Sequence, residues 1–235
     1  MDDHELRRRF ATLTTAHLAD ACVRAGLPVR CAPTPLRSLV AGDRLAGRVL
    51  PARHTGSVDV FLEAFESAAP GDVLVADNGG RLDEACVGDL MALEARGAGL
   101  AGVVIWGLHR DTAELRAIGL PLFSLGATAN GPLSPAARHP EALESATVGR
   151  WTVSRADMVL GDDDGVIFLS AARADELCTL AEGIRDTERR QAERIHAGTS
   201  LREQLRFDTY LTRRGQDPSL TFREHLRAVD GAVEE

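Results

Sequence analysis

Two aspartates and one arginine are the side chains whose types could act together chemically. Asp89 lies at the start of the segment GDLMALEARGAGL, and Arg110 and Asp111 end the segment GVVIWGLHRD. Carboxylate oxygens are ligands for hard divalent cations, and an arginine side chain can bind a carboxylate through two parallel hydrogen bonds. The three residues could therefore hold a cation and a carboxylate substrate, provided that the fold brings them together.

The flanking sequence predicts the elements that would position these side chains. Apolar residues recur at helical spacing after Gly88 and the pattern stops at two glycines, which predicts an amphipathic helix over residues 88–97. Residues 103–105 are a continuous apolar run, which is typical of a buried strand. In an α/β sheet the carboxyl ends of strands and the starts of helices share one crevice, so we expect Asp89 and Asp111 to face each other.

Simpler interpretations of the same residues stay open at this point. Each aspartate could merely cap the helix that follows it, and Arg110 with Asp111 could be a surface ion pair that contributes little. Trp106, at the end of the predicted strand, either packs in the core or lines a pocket. His109 is either an ordinary loop histidine or a residue that contacts the substrate.

Composition bounds the fold and excludes some functions. The 235 residues are 44% hydrophobic and 26% charged, which suits one core with an extension. We expect an α/β core over residues 1–171 and a C-terminal helix with an extension over 172–235, packed on its own core or on a neighbouring subunit.

The net charge of −8 argues against general nucleic-acid binding. No apolar run approaches the ~20 residues of a membrane span, and the charged N-terminus lacks the apolar segment of a secretory signal, so we expect a cytoplasmic protein with no membrane contact.

The chain contains no lysine, and all 27 basic residues are arginines. Schiff-base catalysis, anchoring of pyridoxal phosphate and a P-loop lysine are therefore excluded within this chain. A reaction that leaves negative charge beside a carbonyl would instead need a metal. The four cysteines form no C-x-x-C pair and no zinc-type spacing, so we expect idle thiols and no zinc site.

Three further segments favour structural interpretations. The loop Asn78-Gly79-Gly80 lacks the G-x-G-x-x-G form, which argues against a nucleotide site. The acidic run 162–164 lacks EF-hand spacing, and an Asp-Gly step between apolar runs predicts a hairpin turn instead of a calcium site. Residues 126–150 are rich in glycine, proline, alanine and serine and predict a long surface loop.

The motifs GDL at 88–90 and HRD at 109–111, with 20 residues between Asp89 and Arg110, resemble the pattern of the RraA-like superfamily. Its enzymes include 4-hydroxy-4-methyl-2-oxoglutarate aldolase and 4-carboxy-4-hydroxy-2-oxoadipate aldolase. The segments PGDVLVADNGG, LRAIGLPLF and GDDDGVIFL fit the layout of the family in order. The resemblance implies an RraA-like αββα sandwich of the swivelling β/β/α type with a C-terminal helical arm, assembled as a homotrimer or homohexamer.

For function, the resemblance implies a class II, divalent-metal pyruvate aldolase that releases pyruvate from a 4-hydroxy-2-oxo acid and often decarboxylates oxaloacetate. Asp111 would ligate Mg²⁺ or Mn²⁺, and Asp89 would complete the metal site by holding its water. Arg110 would bind the pyruvyl carboxylate, assisted by the backbone at Gly88, Leu90 and Met91. These roles agree with the chemistry, because a 2-oxo acid can chelate Mg²⁺ through its carboxylate and keto oxygens while arginine fixes the plane of the acid.

The family also places a glutamate from the C-terminal helix of an adjacent subunit near the waters of the metal; Glu188 is the best match and Glu193 the second. Trp106 and His109 depart from many relatives and lie where they would change the substrate pocket. Two alternatives therefore stay open: a lyase or hydratase acting on another oxo acid or a biosynthetic intermediate, and a non-enzymatic regulator that binds a ribonuclease. The intact set of Asp89, Arg110 and Asp111 favours the enzyme.

Overall fold

The computed structural model describes residues 3–133 and 136–229. In these residues the helices are α1 (Asp3–Phe10), α2 (Thr15–Arg24), α3 (Asp59–Glu66), α4 (Asp89–Gly97), α5 (Thr112–Ile118), α6 (Ala174–His196), α7 (Leu201–Gln204), α8 (Phe207–Gln216) and α9 (Phe222–Val229), with a 3₁₀ turn at Ala171–Arg173. The strands are β1 (Arg37–Ser38), β2 (Leu45–Arg53), β3 (Val73–Asp77), β4 (Ala85–Val87), β5 (Gly102–Trp106), β6 (Leu108–His109), β7 (Leu122–Ser124), β8 (Ser145–Val148), β9 (Trp151–Ser154), β10 (Asp157–Asp162) and β11 (Gly165–Ser170). No helix in the described ranges combines the length and apolar character that a bilayer crossing requires.

The centre of the molecule is a seven-stranded sheet in the order β1-β7-β5-β3-β2-β10-β11. Strands β2, β3, β5 and β7 run parallel, and the two in the middle of this set, β3 and β5, consist largely of continuous apolar runs, as strands buried on both faces require. Strands β10 and β11 form an antiparallel hairpin in which Asp162 pairs with Gly165. The prediction of a hairpin turn at the acidic run is therefore confirmed.

Alternating residues of the central strands face two different cores, as the two-residue period of a strand requires. Leu74 and Ala76 lie in a core covered by α3, α4 and α5, whereas Val73 and Val75 face a core closed by β8 and β9. A third core lies between the β10–β11 hairpin and helices α1, α2 and α6. This mixed α/β arrangement, followed by a C-terminal helical region, confirms the predicted fold class.

The prediction of a structureless loop over residues 126–150 is wrong at its C-terminal end. Residues 145–148 form β8, which pairs antiparallel with β9. Ala146 and Val148 are buried while Ser145 and Thr147 are less so, which is the alternation of a half-buried strand. The alternation spans only four residues, and the glycine- and proline-rich composition around it conceals the strand.

The C-terminal extension builds a small core of its own. The rings of Phe207, Tyr210, Phe222 and His225 pack on one another, with centroids 4.9–6.0 Å apart. His225 Nε2 also lies 2.7 Å from the carbonyl oxygen of Leu205. Aromatic contacts thus hold α8 and α9 together, and the hydrogen bond of His225 joins them to the end of α7.

Candidate functional site

The two predicted acids meet at the starts of two neighbouring helices. Strand β4 leads into α4 and β6 leads into α5, and the two strands pair in parallel. The N–H of Arg110 continues this pairing by donating to the carbonyl of Val87, 3.0 Å away. As a result, the backbone N–H of Asp89 lies 3.4 Å from Oδ2 of Asp111, to which it donates. We call Asp89, Arg110 and Asp111 the Asp–Arg–Asp cluster.

Gly88 permits this close approach. It is the N-cap residue of α4, and a Cβ added there would lie 2.3 Å from Oδ2 of Asp111, which is shorter than any allowed contact. The first amide of α4, the backbone N–H of Asp89, therefore faces the carboxylate of Asp111. The positive end of the helix dipole therefore points at the carboxylate of Asp111 and favours negative charge there.

Asp111 has a backbone conformation that L residues rarely adopt. Its φ is 59° and its ψ is 44°, in the left-handed region, and it precedes α5 without any capping hydrogen bond from its side chain. The simpler interpretation of Asp111 as a side-chain cap is therefore wrong. The carboxylate instead turns toward Gly88 and lies 3.3 Å from Nε of Arg110.

The side chain of Arg110 lies between the Asp111 carboxylate and the loop that contains Gly131. Its side chain is 48% exposed, and a Cβ added to Gly131 would come within 2.8 Å of its Nη1. Nε faces Asp111, while Nη1 lies beside the loop at Gly131. A half-exposed guanidinium with one edge held in this way can still offer hydrogen bonds to a planar carboxylate.

The predicted backbone ligands of the substrate are partly engaged within the chain. The N–H of Leu90 donates to Oδ1 of Asp89 over 2.7 Å, and the Leu90 side chain is exposed. The side chain of Met91 packs against the core beneath α4. A substrate oxygen that used the Leu90 amide would therefore have to displace the Asp89 carboxylate.

His109 is held away from solvent by two hydroxyl groups. Its Nδ1 lies 2.7 Å from Oγ of Ser124 and its Nε2 lies 3.2 Å from Oγ1 of Thr112. Burial, with a smaller effect from Arg116, lowers the pKa of His109 and favours the neutral ring. Because both ring nitrogens are engaged, His109 ties the first turn of α5 to β7, which favours a supporting role over contact with a substrate.

Trp106 is partly buried against the core that β8 and β9 close. Its carbonyl accepts the N–H groups of Asn78 and Gly80, both over 3.1 Å. A Cβ on Gly80 would lie 2.9 Å from Nε1 of the indole. Trp106 therefore fixes the loop after β3 and packs in the core at the same time.

Glu188 has its partner elsewhere in the chain. Its Oε2 lies 3.0 Å from Nε2 of His17 on α2, beside a cavity of about 430 Å³ that Arg44 and Arg185 also line. Glu193 is exposed near the end of α6. Within one chain these contacts do not join Glu188 to the Asp–Arg–Asp cluster, and its predicted role across a subunit interface stays a prediction.

The buried cysteines are poor candidates for nucleophilic chemistry. Cys22, Cys86 and Cys178 are buried and Cys31 is exposed, and all four are free. Burial raises the pKa of Cys22 and of Cys178 to about 11, which keeps them as thiols at neutral pH. Over the described ranges, no three His, Cys, Asp or Glu side chains gather in a group that could hold a metal ion.

The sequence-based reasoning missed Glu84, although it lies just before β4. The residue is 0% exposed, and its carboxylate binds the backbone of the loop that passes Arg110. One feature of the sequence could have indicated a buried acid: Glu84 is directly followed by the apolar triplet of β4, which is an unusual position for a solvated charge.

Comparison with known proteins agrees with this architecture. The model of the RraA-like family, described as Aldolase/RraA, matches residues 15–168. An uncharacterized protein from Pseudomonas syringae pv. tomato has 25% identity and a TM-score of 0.73, over 85% of this chain and 96% of that one. RraAS2 from Streptomyces coelicolor, described as an unusual member of the RNase ES inhibitor RraA protein family, has 25% identity and a TM-score of 0.71, over 83% and 100%. The RNA-processing inhibitor RraA from Thermus thermophilis has 29% identity and a TM-score of 0.55, over 64% and 90%. The chain therefore belongs to the RraA-like, aldolase/RraA family.

Proposed function

We propose that this protein is a divalent-metal-dependent lyase that cleaves a C–C bond of a 4-hydroxy-2-oxo acid to release pyruvate, and that it also decarboxylates oxaloacetate. The observation that supports the proposal is the position of the Asp111 carboxylate. It lies against the start of α4 and beside Arg110, and it is not used to cap its own helix. A carboxylate and a guanidinium side by side are what recognition of a chelating 2-oxo acid requires.

The residues present fit Mg²⁺ or Mn²⁺ as the cation. Asp111 and Asp89 supply only carboxylate oxygens, which are hard donors, and the Asp111 side chain is 35% exposed. Mg²⁺ usually keeps several waters and takes only one or two protein carboxylates together with oxygens of the substrate. A site with two carboxylates that is open to solvent suits the coordination of Mg²⁺ better than that of zinc, which prefers nitrogen and sulfur ligands.

The chain's own residues would then divide the work as follows. Arg110 binds the carboxylate of the 2-oxo acid and fixes the plane of the carbonyl. The N-terminus of α4 points toward the same space and favours negative charge there. Asp89 holds water next to Asp111. A divalent cation at this site would supply the positive charge that stabilises the negative charge developing on the keto oxygen when the C–C bond breaks.

A regulator of RNA processing is the second candidate, because two of the similar solved structures are described as inhibitors of that kind. A regulator that acts by protein contact has no need for an aspartate carboxylate that faces a helix start and an arginine side chain together. The Asp–Arg–Asp cluster therefore favours the enzyme. A lyase or hydratase acting on another oxo acid would use the same cluster, and because His109 is engaged by hydroxyl groups, we do not expect it to add an acid–base group to the reaction.

The test is oxaloacetate decarboxylation with Mn²⁺ or Mg²⁺, with and without a chelator, for the wild type and for Asp111→Ala. We expect the variant and the chelated enzyme to lose at least 100-fold in rate, because the charge on the cation and its position are both removed. Glu114→Ala is the matched control, since Glu114 is an exposed acid on the same helix α5.

Equal rates in the wild type and Asp111→Ala would remove Asp111 from the mechanism. Absence of any metal-dependent turnover of oxo acids by the wild type, together with specific retention of a ribonuclease in a pull-down, would favour the regulator instead.

A further inference from the structure

Glu84 is a fully buried carboxylate, and both of its oxygens have assigned neighbours. Oε2 accepts the N–H of Leu133 over 2.9 Å. Oε1 lies 3.1 Å from Nη1 of Arg81, but the angles do not make a hydrogen bond, so attraction between the charges holds it there. A charge without solvent persists only where such partners compensate for the loss of hydration.

Two more hydrogen bonds join the same two segments. The N–H of Ala85 donates to the carbonyl of Asn130 over 2.9 Å. The side-chain amide of Asn130 donates back to the carbonyl of Asp83 over 3.3 Å. Together with the bond from Leu133 to Glu84, these bonds form what we call the 83–133 clasp. It fixes residues 130–133 to the start of β4.

The clasp holds Gly131 against Arg110. Gly131 lies between the two bonded positions 130 and 133, and its backbone passes so close that an added Cβ would be 2.8 Å from Nη1 of Arg110. On its other side Arg110 faces Asp111, 3.3 Å from its Nε. The position of the 130–133 backbone therefore limits the orientations that the guanidinium can adopt.

We propose that Glu84 is a positioning residue for substrate binding. By fixing the 83–133 clasp, it keeps the guanidinium of Arg110 in the orientation that receives the carboxylate of the substrate. Glu84 itself does not contact the substrate, because its carboxylate is fully buried and directed at Leu133 and Arg81. This inference rests on the proposed function, in which Arg110 binds the carboxylate of a 2-oxo acid.

Steady-state kinetics on oxaloacetate test the role, because Arg110 binds the carboxylate equally before and during the reaction. Loss of its orientation should raise KM and leave kcat nearly unchanged. We expect Glu84→Ala to raise KM about tenfold, the effect of one lost charge-assisted hydrogen bond. Glu84→Gln keeps an acceptor for Leu133 and should restore most of the affinity. Asn130→Ala removes a different bond of the clasp and should raise KM by a smaller factor.

Two controls separate positioning from general damage. Asp83→Asn removes the negative charge of an exposed partner of Arg81 but keeps the backbone carbonyl that binds Asn130, so KM should not change. In an Arg110→Ala background, Glu84→Ala should raise KM no further, since the group that it positions is absent. A KM for Glu84→Ala equal to that of the wild type, or an increase that is equally large in the Arg110→Ala background, would overturn the positioning role.

Calorimetric measurement of oxalate binding in the presence of Mn²⁺ distinguishes failure of the positioning role of Glu84 from failure of the proposed function. A wild type that binds no oxalate and turns over no oxaloacetate overturns the proposed function and, with it, the role of Glu84. A wild type that binds oxalate through Arg110, with the same affinity in Glu84→Ala, overturns the role of Glu84 alone.

Discussion

The contact between Gly88 and Asp111 leads to a sharp prediction for Gly88→Ala. The new methyl group would lie 2.3 Å from Oδ2 of Asp111 and 3.3 Å from both Cγ and Nε of Arg110. Relief of the clash requires the carboxylate to move by about 1 Å, and a displacement of that size in a reacting group costs on the order of 100-fold in rate. We therefore expect kcat/KM for oxaloacetate to fall about 100-fold.

Stability should change little in the same variant. Gly88 has a φ of −127° and a ψ of −166°, a conformation that alanine adopts readily. The atom that must move is the end of a partly exposed side chain, so the main cost is that alanine is a poorer N-cap than glycine, and the unfolding free energy should fall by only about 1 kcal/mol. The mutation thus separates the geometry of the site from the stability of the fold.

Gly97→Ala is the matched control for this experiment. Gly97 ends the same helix α4, and a Cβ added there meets no atom within 4 Å. This variant should keep full activity. The measurement is kcat/KM with Mn²⁺ alongside thermal unfolding of both variants. Wild-type activity in Gly88→Ala would refute the reasoning, because the Asp111 carboxylate would then not need its observed position.

Two other predictions concern the protonation of buried histidines and the C-terminal extension. Burial lowers the pKa of His54 and of His109, so both contribute stability above the unfolded pKa of about 6.5 that is lost as the pH falls through their folded values. The unfolding free energy should fall between pH 7 and pH 5, and His109→Gln should reduce that slope in urea titrations; an unchanged slope would exclude His109 as a source. For the extension, Phe222→Ala should speed amide exchange in α7–α9 and leave the central sheet protected, because the aromatic cluster is local. Equal loss of protection in the sheet would contradict that independence.

The meeting of Asp89 and Asp111 was predictable from the sequence because it follows from a general rule of α/β sheets. Apolar runs predicted strands β3 and β5, and helical spacing predicted helix α4. Because strand ends and helix starts share one crevice in such a sheet, the segment that follows β5 was expected beside the start of α4. The elements that bring about the meeting were not predictable. Strands β4 and β6 have three and two residues, too few for any periodicity to be recognised.

The roles of Glu84 and His109 were beyond sequence reasoning for a different reason. Glu84 accepts a hydrogen bond from a loop 49 residues away along the chain, and His109, whose pKa burial lowers, contacts a hydroxyl 15 residues away. Such partners depend on the tertiary fold and leave no local pattern. The predicted role of Glu188 depends on a contact with a second subunit, and such a contact leaves no pattern in the sequence of one chain.

The left-handed backbone at Asp111 follows from the same short strands. The N–H of Arg110 still pairs with Val87, while the carbonyl of Asp111 already accepts the N–H of Leu115 in α5. The chain must therefore turn from strand to helix at a single residue, and the left-handed conformation makes that turn at a cost of about 1–2 kcal/mol for an L residue. Aspartate tolerates this conformation better than alanine does, because its short polar side chain can bond locally. Part of any stability lost in Asp111→Ala is thus a backbone effect, and only the loss of rate reports on the carboxylate.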